Sequence, residues 1–323
     1  MGCTCALRAD HRKAICRHET CISDPISHTN HQRDADADAD ASKLGVHSCI
    51  AAMRATARAR GCGLAFPGGG IFFWWQAGTI SGLAKRIDLS STPTVGASAG
   101  ALAATMAACE CDMRLALDRA VQLSLDAGAF DRGPWGLYGI WGPIIRDWLD
   151  ELLPADAADR CCGRVNLLIN EPLMAVPLLP VLGSPLTDLG FECTRRHEIS
   201  AFTSRDDLID AAMASVHIPL FLDRQWCARF REQDCVDGSY VLGRNAKLPL
   251  RCPDAFAEWP VLRLSPLHDP RMRARYGSGW RDFLRLSSVE AVGEMLDWGE
   301  RYVDVLEAEG RLEQLMGGES HGA

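Results

Sequence analysis

Apolar positions along this chain fall into two regimes. Before residue 46 they show no period; from there on they gather into short runs broken by glycines and charged stretches. GLAF (63–66) is a short apolar run that stops at three glycines, which predicts a buried strand. From Ile71 to about Arg86 the pattern predicts a helix, closed by Lys85 and Arg86, whose charge suits a helix C-terminus. Gly78 and Gly82 lie four apart on one face of it, predicting close packing on a sheet. PTVGA (93–97) reads as a second strand, and SAGALAATMAA (98–108) as a helix of small residues. Strand–turn–helix thus occurs twice between residues 63 and 108, the mark of parallel βαβ architecture and an α/β fold. Further along, WGPIIRDWLDELLP (141–154) and SRDDLIDAAMAS (204–215) read as helices, the second capped by Ser204. RVNLLI (164–169), HEISAF (197–202) and WPVLRLSP (259–266) read as strands, and Trp280 to Leu315 as helical.

Residues 1–45 carry Cys3, Cys5, Cys16, Cys21, His28 and His31, then DADADADA at 34–41. Few aromatics and a low-complexity acidic tract predict a disordered N-terminal segment. Two chemical readings compete with that. Cys16, His18 and Cys21 with Cys3 or Cys5 are zinc-ligand types, but at spacings that fit no familiar module. MGCTCA offers Gly2 for myristoylation and Cys3 and Cys5 for palmitoylation, with Ala6 where the usual pattern has Ser or Thr.

Composition narrows the rest. A formal charge of −8 over 323 residues argues against a nucleic-acid partner held through phosphates. It places no demand on a neutral lipid surface. PLMAVPLLPVLGSPL (172–186) is apolar but broken by four prolines, so it reads as a loop rather than a spanning helix, and 172–190 is the candidate covering loop. The polar N-terminus lacks the apolar core of a secretory signal. Fourteen scattered cysteines without framework spacing read as reduced thiols, giving an intracellular, cytoplasmic expectation.

The chemistry-bearing stretch begins with FPGGGIFFWWQAG (66–78), three glycines set directly against five bulky apolar residues. Glycines weaken the elements they interrupt, so bare backbone must be needed there. The spacing fits neither a dinucleotide loop, because Phe73 stands where the third glycine belongs, nor a P-loop, which needs Gly-Lys-Ser/Thr. Gly96-Ala97-Ser98-Ala99-Gly100 is a G-x-S-x-G between an apolar strand and an Ala-rich helix. It reads either as a nucleophile elbow or as a small-residue packing turn. Amides of Gly68, Gly69 and Gly70, at a strand end and a helix start, could converge on an oxyanion near Ser98. Asp237 in CVDGSY reads either as the base such a serine needs or as an ordinary Asp-Gly turn.

Taken in order, FPGGGIFFWWQAG, GASAGALAA, ASVHIPLF and VDGS resemble the patatin-like phospholipase family, over roughly residues 62–245, with the animal lipid-droplet lipases as the nearest likeness. The resemblance implies a three-layer α/β/α sandwich with a mostly parallel central sheet, spanning 46–323 with a helical C-terminal extension. It implies a Ser98–Asp237 dyad without histidine, an oxyanion hole at Gly68–Gly70, an elbow flanked by Gly96 and Gly100, and a base motif completed by Gly238 and Ser239. The implied activity is lipid acyl hydrolysis of phospholipids or acylglycerols through an acyl-enzyme, without cofactor or metal, at a membrane or lipid-droplet surface. Two positions depart from the family pattern. Ser239 stands where many members have glycine, and Ile71 and Phe72 stand where plant-type members have a cation. Two rivals remain: a Ser-Asp-His esterase, for which His268 is the one histidine after the acid in the globular part, and a non-catalytic lipid-binding protein of the same fold. Head group, regiochemistry, transacylation and oligomeric state are not readable in the chain.

Overall fold

The computed structural model describes residues 63–173, 194–239, 261–276 and 282–313. Residues 1–45, with the acylation and zinc candidates, and most of the 172–190 segment lie outside them.

Strand β1 (Gly63–Phe66) runs into the three glycines, and helix α1 (Phe73–Ala84) follows after a 3-10 turn at Gly70–Phe72. Strand β2 (Thr94–Ala97) leads through Ser98 into α2 (Ala99–Ala108). Helices α3 (Met113–Asp126), α4 (Trp141–Leu152) and α5 (Ala157–Cys161) precede β3 (Val165–Pro172) and β4 (Thr194–Ile199). Helix α6 (Arg205–Val216) is followed by a small hairpin, β5 (Ala228–Phe230) and β6 (Gln233–Cys235). Strand β7 (Val261–Arg263), α7 (Pro270–Tyr276) and α8 (Val289–Ala308) complete the described elements.

The main sheet has the order β4-β3-β2-β1-β7. Neighbours pair in parallel except β4, which runs antiparallel to β3 at the edge. Helices flank it, as expected of an α/β/α sandwich. Strand β2 is wholly buried, and Leu64, Phe66, Leu167 and Ile169 are closed off from solvent beside it. The register pairs Phe66 with Gly96 and Ala97 with Leu168. The glycine loop and Ser98 therefore leave the sheet side by side at its C-terminal edge, where open α/β sheets place their ligands.

Several elements depart from the expected pattern. Gly78 and Gly82 face α8, not the sheet: a methyl on Gly78 would sit 1.9 Å from the Leu296 carbonyl oxygen, and one on Gly82 2.8 Å from Val303. Gly299 of α8 returns the contact against the Trp75 carbonyl, so the two helices meet backbone to backbone. Helix α8 begins at Val289, because the Ser288 side chain caps it by accepting from Ala291 N. Helix α3 has no counterpart in the expectations; its start is set by Asp112, whose carboxylate accepts from Arg114 N and Leu115 N. The strand expected at 197–202 begins three residues earlier and ends at Ile199, and the one at 259–266 shortens to three described residues. None of the six described cysteines at 109, 111, 161, 162, 227 and 235 is in a disulfide.

Candidate active site

Ser98 sits at the junction of β2 and α2 with φ 56° and ψ −131°. That conformation costs a non-glycine residue about 1–3 kcal/mol and persists only where surroundings enforce it. Small neighbours make it feasible. A methyl on Gly96 would strike the Gly100 carbonyl at 2.0 Å, and one on Gly100 the Phe66 carbonyl at 1.9 Å. A serine at a helix start ordinarily caps it, but the Ser98 side chain makes no capping bond. Its amide donates to Ser215 Oγ at 3.0 Å, and that hydroxyl donates to the Leu168 carbonyl at 2.7 Å. The elbow is thereby tied to β3 and to the end of α6.

Asp237 arrives from the other side of the sheet's C-terminal edge. Val236 and Asn170 exchange backbone hydrogen bonds of 2.7 and 3.1 Å, which extends β3 and delivers the next residue to Ser98. Asn170 Nδ2 donates to the Asp237 carbonyl at 2.8 Å, and Asp237 N donates to the His217 carbonyl at 2.8 Å. Gly238 N donates to the Ser215 carbonyl, and a methyl there would meet the Leu168 carbonyl at 1.9 Å. Ser215 thus holds both turns, one through its side chain and the other through its backbone.

The Asp237 carboxyl is 4% exposed, and burial pushes its pKa up to about 6, against a smaller opposing pull from the neighbouring Ser98 hydroxyl and from Ser239. Oδ1 accepts from Ser239 N at 2.8 Å. Oδ2 is buried with no hydrogen-bond partner among the described residues, so it is free to take a proton from the serine beside it.

Gly68 packs on the same spot: a methyl there would fall 3.0 Å from Ser98 Cβ and 2.0 Å from Ser239 Oγ. Gln76 anchors the loop from below, donating from Nε2 to the Pro67 carbonyl at 2.6 Å. Gly70 takes φ +53°, and the Phe283 carbonyl lies where its side chain would be while accepting from Ile71 N at 2.8 Å. The amides of Gly68, Gly69 and Gly70 donate to no described backbone carbonyl.

Ser98 also lines an apolar cavity that encloses about 860 Å3 of space when its open mouth is included. Ile71, Phe73 and Trp74 form part of its wall, with Leu102, Trp141 and Trp148. The other two residues of the apolar run turn away: Phe72 stacks on Tyr276, while Trp75 donates to Asp269 Oδ2 at 2.9 Å and stacks on Tyr302. The bulky run after the glycines therefore divides, three residues to the cavity and two to packing. No histidine is among the described residues that line the cavity. His217 is buried beside Asp223 and the Gln225 carbonyl, its pKa lowered by burial; His268 lies near Arg263, Arg273 and Arg311.

Comparison with known families decides the relationship. A family model described as patatin-like phospholipase matches residues 64–249, from β1 to just beyond the Asp237 turn. The chain belongs to the patatin-like phospholipase family. A search of curated proteins finds no match. Membership makes the protein a lipid acyl hydrolase in kind, and the matched span holds the glycine loop, Ser98 and Asp237. Ser215, Asn170 and Gln76 were not picked out in the sequence. Ser215 stands in the ASVHIPLF segment and Gln76 in FPGGGIFFWWQAG, so both carry a usable signal; Asn170 has none, because its hydrogen bond reaches the Asp237 carbonyl far along the chain.

Proposed function

We propose that the protein cleaves carboxylic esters of phospholipids or acylglycerols with Ser98 as nucleophile and Asp237 as its base. The observation that carries this reading is the free, buried Asp237 Oδ2 beside a serine held in a strained turn at an apolar cavity. Asp237 takes the Ser98 proton as Oγ attacks the ester carbonyl carbon. Amides of the Gly68–Gly70 loop hold the resulting oxyanion. The tetrahedral species collapses, the carbonyl re-forms, and the alcohol or lysolipid departs with the proton from Asp237. Water then attacks the acyl-enzyme, gives its proton to Asp237, and the acid leaves as Ser98 Oγ recovers that proton.

The cavity wall supports an acyl chain as the group bound next to Ser98. Trp135 and Tyr138 are exposed on the segment that sends Phe130, Leu137 and Trp141 into that wall. Trp and Tyr favour lipid–water boundaries, which supports delivery of substrate from a lipid surface. No described helix is long and apolar enough to cross a membrane. Loss of co-sedimentation with phosphatidylcholine vesicles in Trp135→Ala and Tyr138→Ala is the expected result for that surface.

The catalytic test is hydrolysis of a short-chain p-nitrophenyl ester and of a phospholipid by wild type, Ser98→Ala and Asp237→Asn. Both variants are expected at background. Retained turnover in Asp237→Asn would sink the dyad and return attention to His268. A wild type inert on both esters that still binds lipid would favour the non-catalytic reading.

A further inference from the structure

Ser239 carries a hydroxyl that makes no hydrogen bond to any described residue. Its backbone amide is committed to Asp237 Oδ1, which fixes the turn. Its Oγ is buried and finds no hydrogen-bond partner among the described residues. Leaving a buried hydroxyl unpaired costs about 1–3 kcal/mol, so such a group points to a partner that arrives later. The place it occupies is specific. The point 2.0 Å from Ser239 Oγ, where a Gly68 side chain would begin, is also 3.0 Å from Ser98 Cβ. The hydroxyl therefore faces the first residue of the glycine loop, next to the serine.

Two acceptors are within its surroundings: the Asp237 carboxylate and whatever oxygen a substrate brings to the glycine loop. Asp237 already receives the Ser239 amide, its Oδ2 makes no bond to the hydroxyl, and that oxygen must stay free if it is to take the Ser98 proton. We propose that the Ser239 hydroxyl is an additional donor to the substrate's carbonyl oxygen, completing an oxyanion site otherwise made of glycine amides. This rests on the Ser98–Asp237 reading above. It makes Ser239 a catalytic residue by direct contact. No bond to Ser239 forms or breaks, and its proton stays on Oγ throughout.

Because the donor acts on charge that develops in the transition state, its removal should lower kcat and leave KM little changed. Ser239→Ala and Ser239→Gly are measured together, since one preserves backbone stiffness and the other removes the side chain. Each should lose about 10²-fold in kcat on a p-nitrophenyl ester, with unchanged thermal stability or a small gain. Inactivation by an organophosphonate, whose P–O oxygen occupies the oxyanion position, should slow in parallel.

Full kcat in both variants would overturn the assignment while leaving the dyad intact. A loss of rate confined to a shift of the acidic limb, with the plateau kcat unchanged, would also overturn it, because the hydroxyl would then act only on ionised Asp237. If wild type neither hydrolyses esters nor takes up the phosphonate on Ser98, the parent reading falls and this one falls with it. That outcome is recognisable because Ser98→Ala then behaves like wild type.

Discussion

Helix α1 has two sides that are built to opposite ends. On one, Phe73 and Trp74 face open space in the cavity beside Ser98. On the other, Gly78 and Gly82 let α8 approach until backbone touches backbone. The α8 side adds ion pairs from Arg86 to Asp304 and Glu307 at 2.6 and 2.8 Å, and from Lys85 to Glu300. These pairs are solvent-exposed and worth little individually, so the close fit is what holds the helices. The cavity side gives stability away through a strained Ser98, a buried carboxyl and two unpaired polar oxygens. One helix thus supports the site rigidly because its far face is packed without slack.

The largest test of that contrast is Gly78→Ala. The added methyl would lie 1.9 Å from the Leu296 carbonyl and 2.9 Å from Glu300 N, both backbone atoms that cannot rotate away. The helices must separate, and the cost should reach about 3 kcal/mol, at or above the usual limit for overpacking. Urea unfolding measures it. A loss under about 0.5 kcal/mol would mean that the α1–α8 contact is not the rigid element described here.

Next in size is Asp237→Asn, where the cavity side should respond in the opposite direction. The Asp237 pKa is raised from 3.8 to about 6, chiefly by burial. Between those values the folded state holds a proton that the unfolded chain has released, so this group's contribution to stability falls as pH rises through that window. It is fully unfavourable above about 6 and absent below 3.8. The variant should therefore gain up to about 3 kcal/mol over wild type at pH 8, shrinking to nothing near pH 4, while hydrolysis is lost. The same pKa predicts that wild-type kcat/KM falls as pH drops through about 6, since only the carboxylate can accept the Ser98 proton. Equal stability of the two proteins across the pH range would show that burying this carboxyl costs nothing.

These two tests also mark where the sequence could be read and where it could not. Ser98, Asp237 and the glycine loop were visible because each needs particular small residues next to it, and those leave letters in the chain. The strand at 63–66 is visible as an apolar run that stops at glycines, and the one at 94–97 as a short run leading into Ser98. Gly78 and Gly82 announce close packing, but the sheet is the wrong surface for it, since the partner helix lies more than two hundred residues on. Local spacing says that two glycines share a face and is silent on which surface meets it. Helix α3 escaped although Met113, Ala116, Leu117, Ala120 and Val121 recur at helical spacing, because charged residues interrupt that stripe and its cap at Asp112 follows a Cys-containing turn that reads as loop. The direction of β4 was likewise set by long-range pairing with β3.

A smaller effect is expected where α1 borders the cavity. Trp74 packs edge-on against Phe73 and Trp148, with ring centroids 5.1 and 6.1 Å away, and has cavity rather than backbone in front of it. Trp74→Leu should cost about 1–3 kcal/mol of stability and leave a fold that still turns over. The added space should move ester preference toward longer acyl chains, by up to about fourfold in kcat/KM per methylene accommodated. A series of p-nitrophenyl esters reads this directly. An unchanged chain-length profile would remove Trp74 from the acyl-binding wall.

The smallest effect separates glycine as a residue from glycine as a fit. Helix α8 contains Gly293 and Gly299, six positions apart in one helix, and the two have opposite surroundings. A methyl on Gly299 would lie 1.9 Å from the Trp75 carbonyl, whereas one on Gly293 would meet nothing within 4 Å. Alanine in a helix interior is favoured over glycine by roughly 0.5–1 kcal/mol, because glycine has more conformational freedom to lose on folding. Gly293→Ala should therefore stabilise by about that amount and leave ester hydrolysis untouched. Gly299→Ala should instead destabilise like Gly78→Ala, since it crowds the same crossing from the other side. If Gly293→Ala were destabilising too, the requirement would lie in the flexibility of α8, and the backbone fit between α1 and α8 would no longer explain the rigidity of the site's far wall.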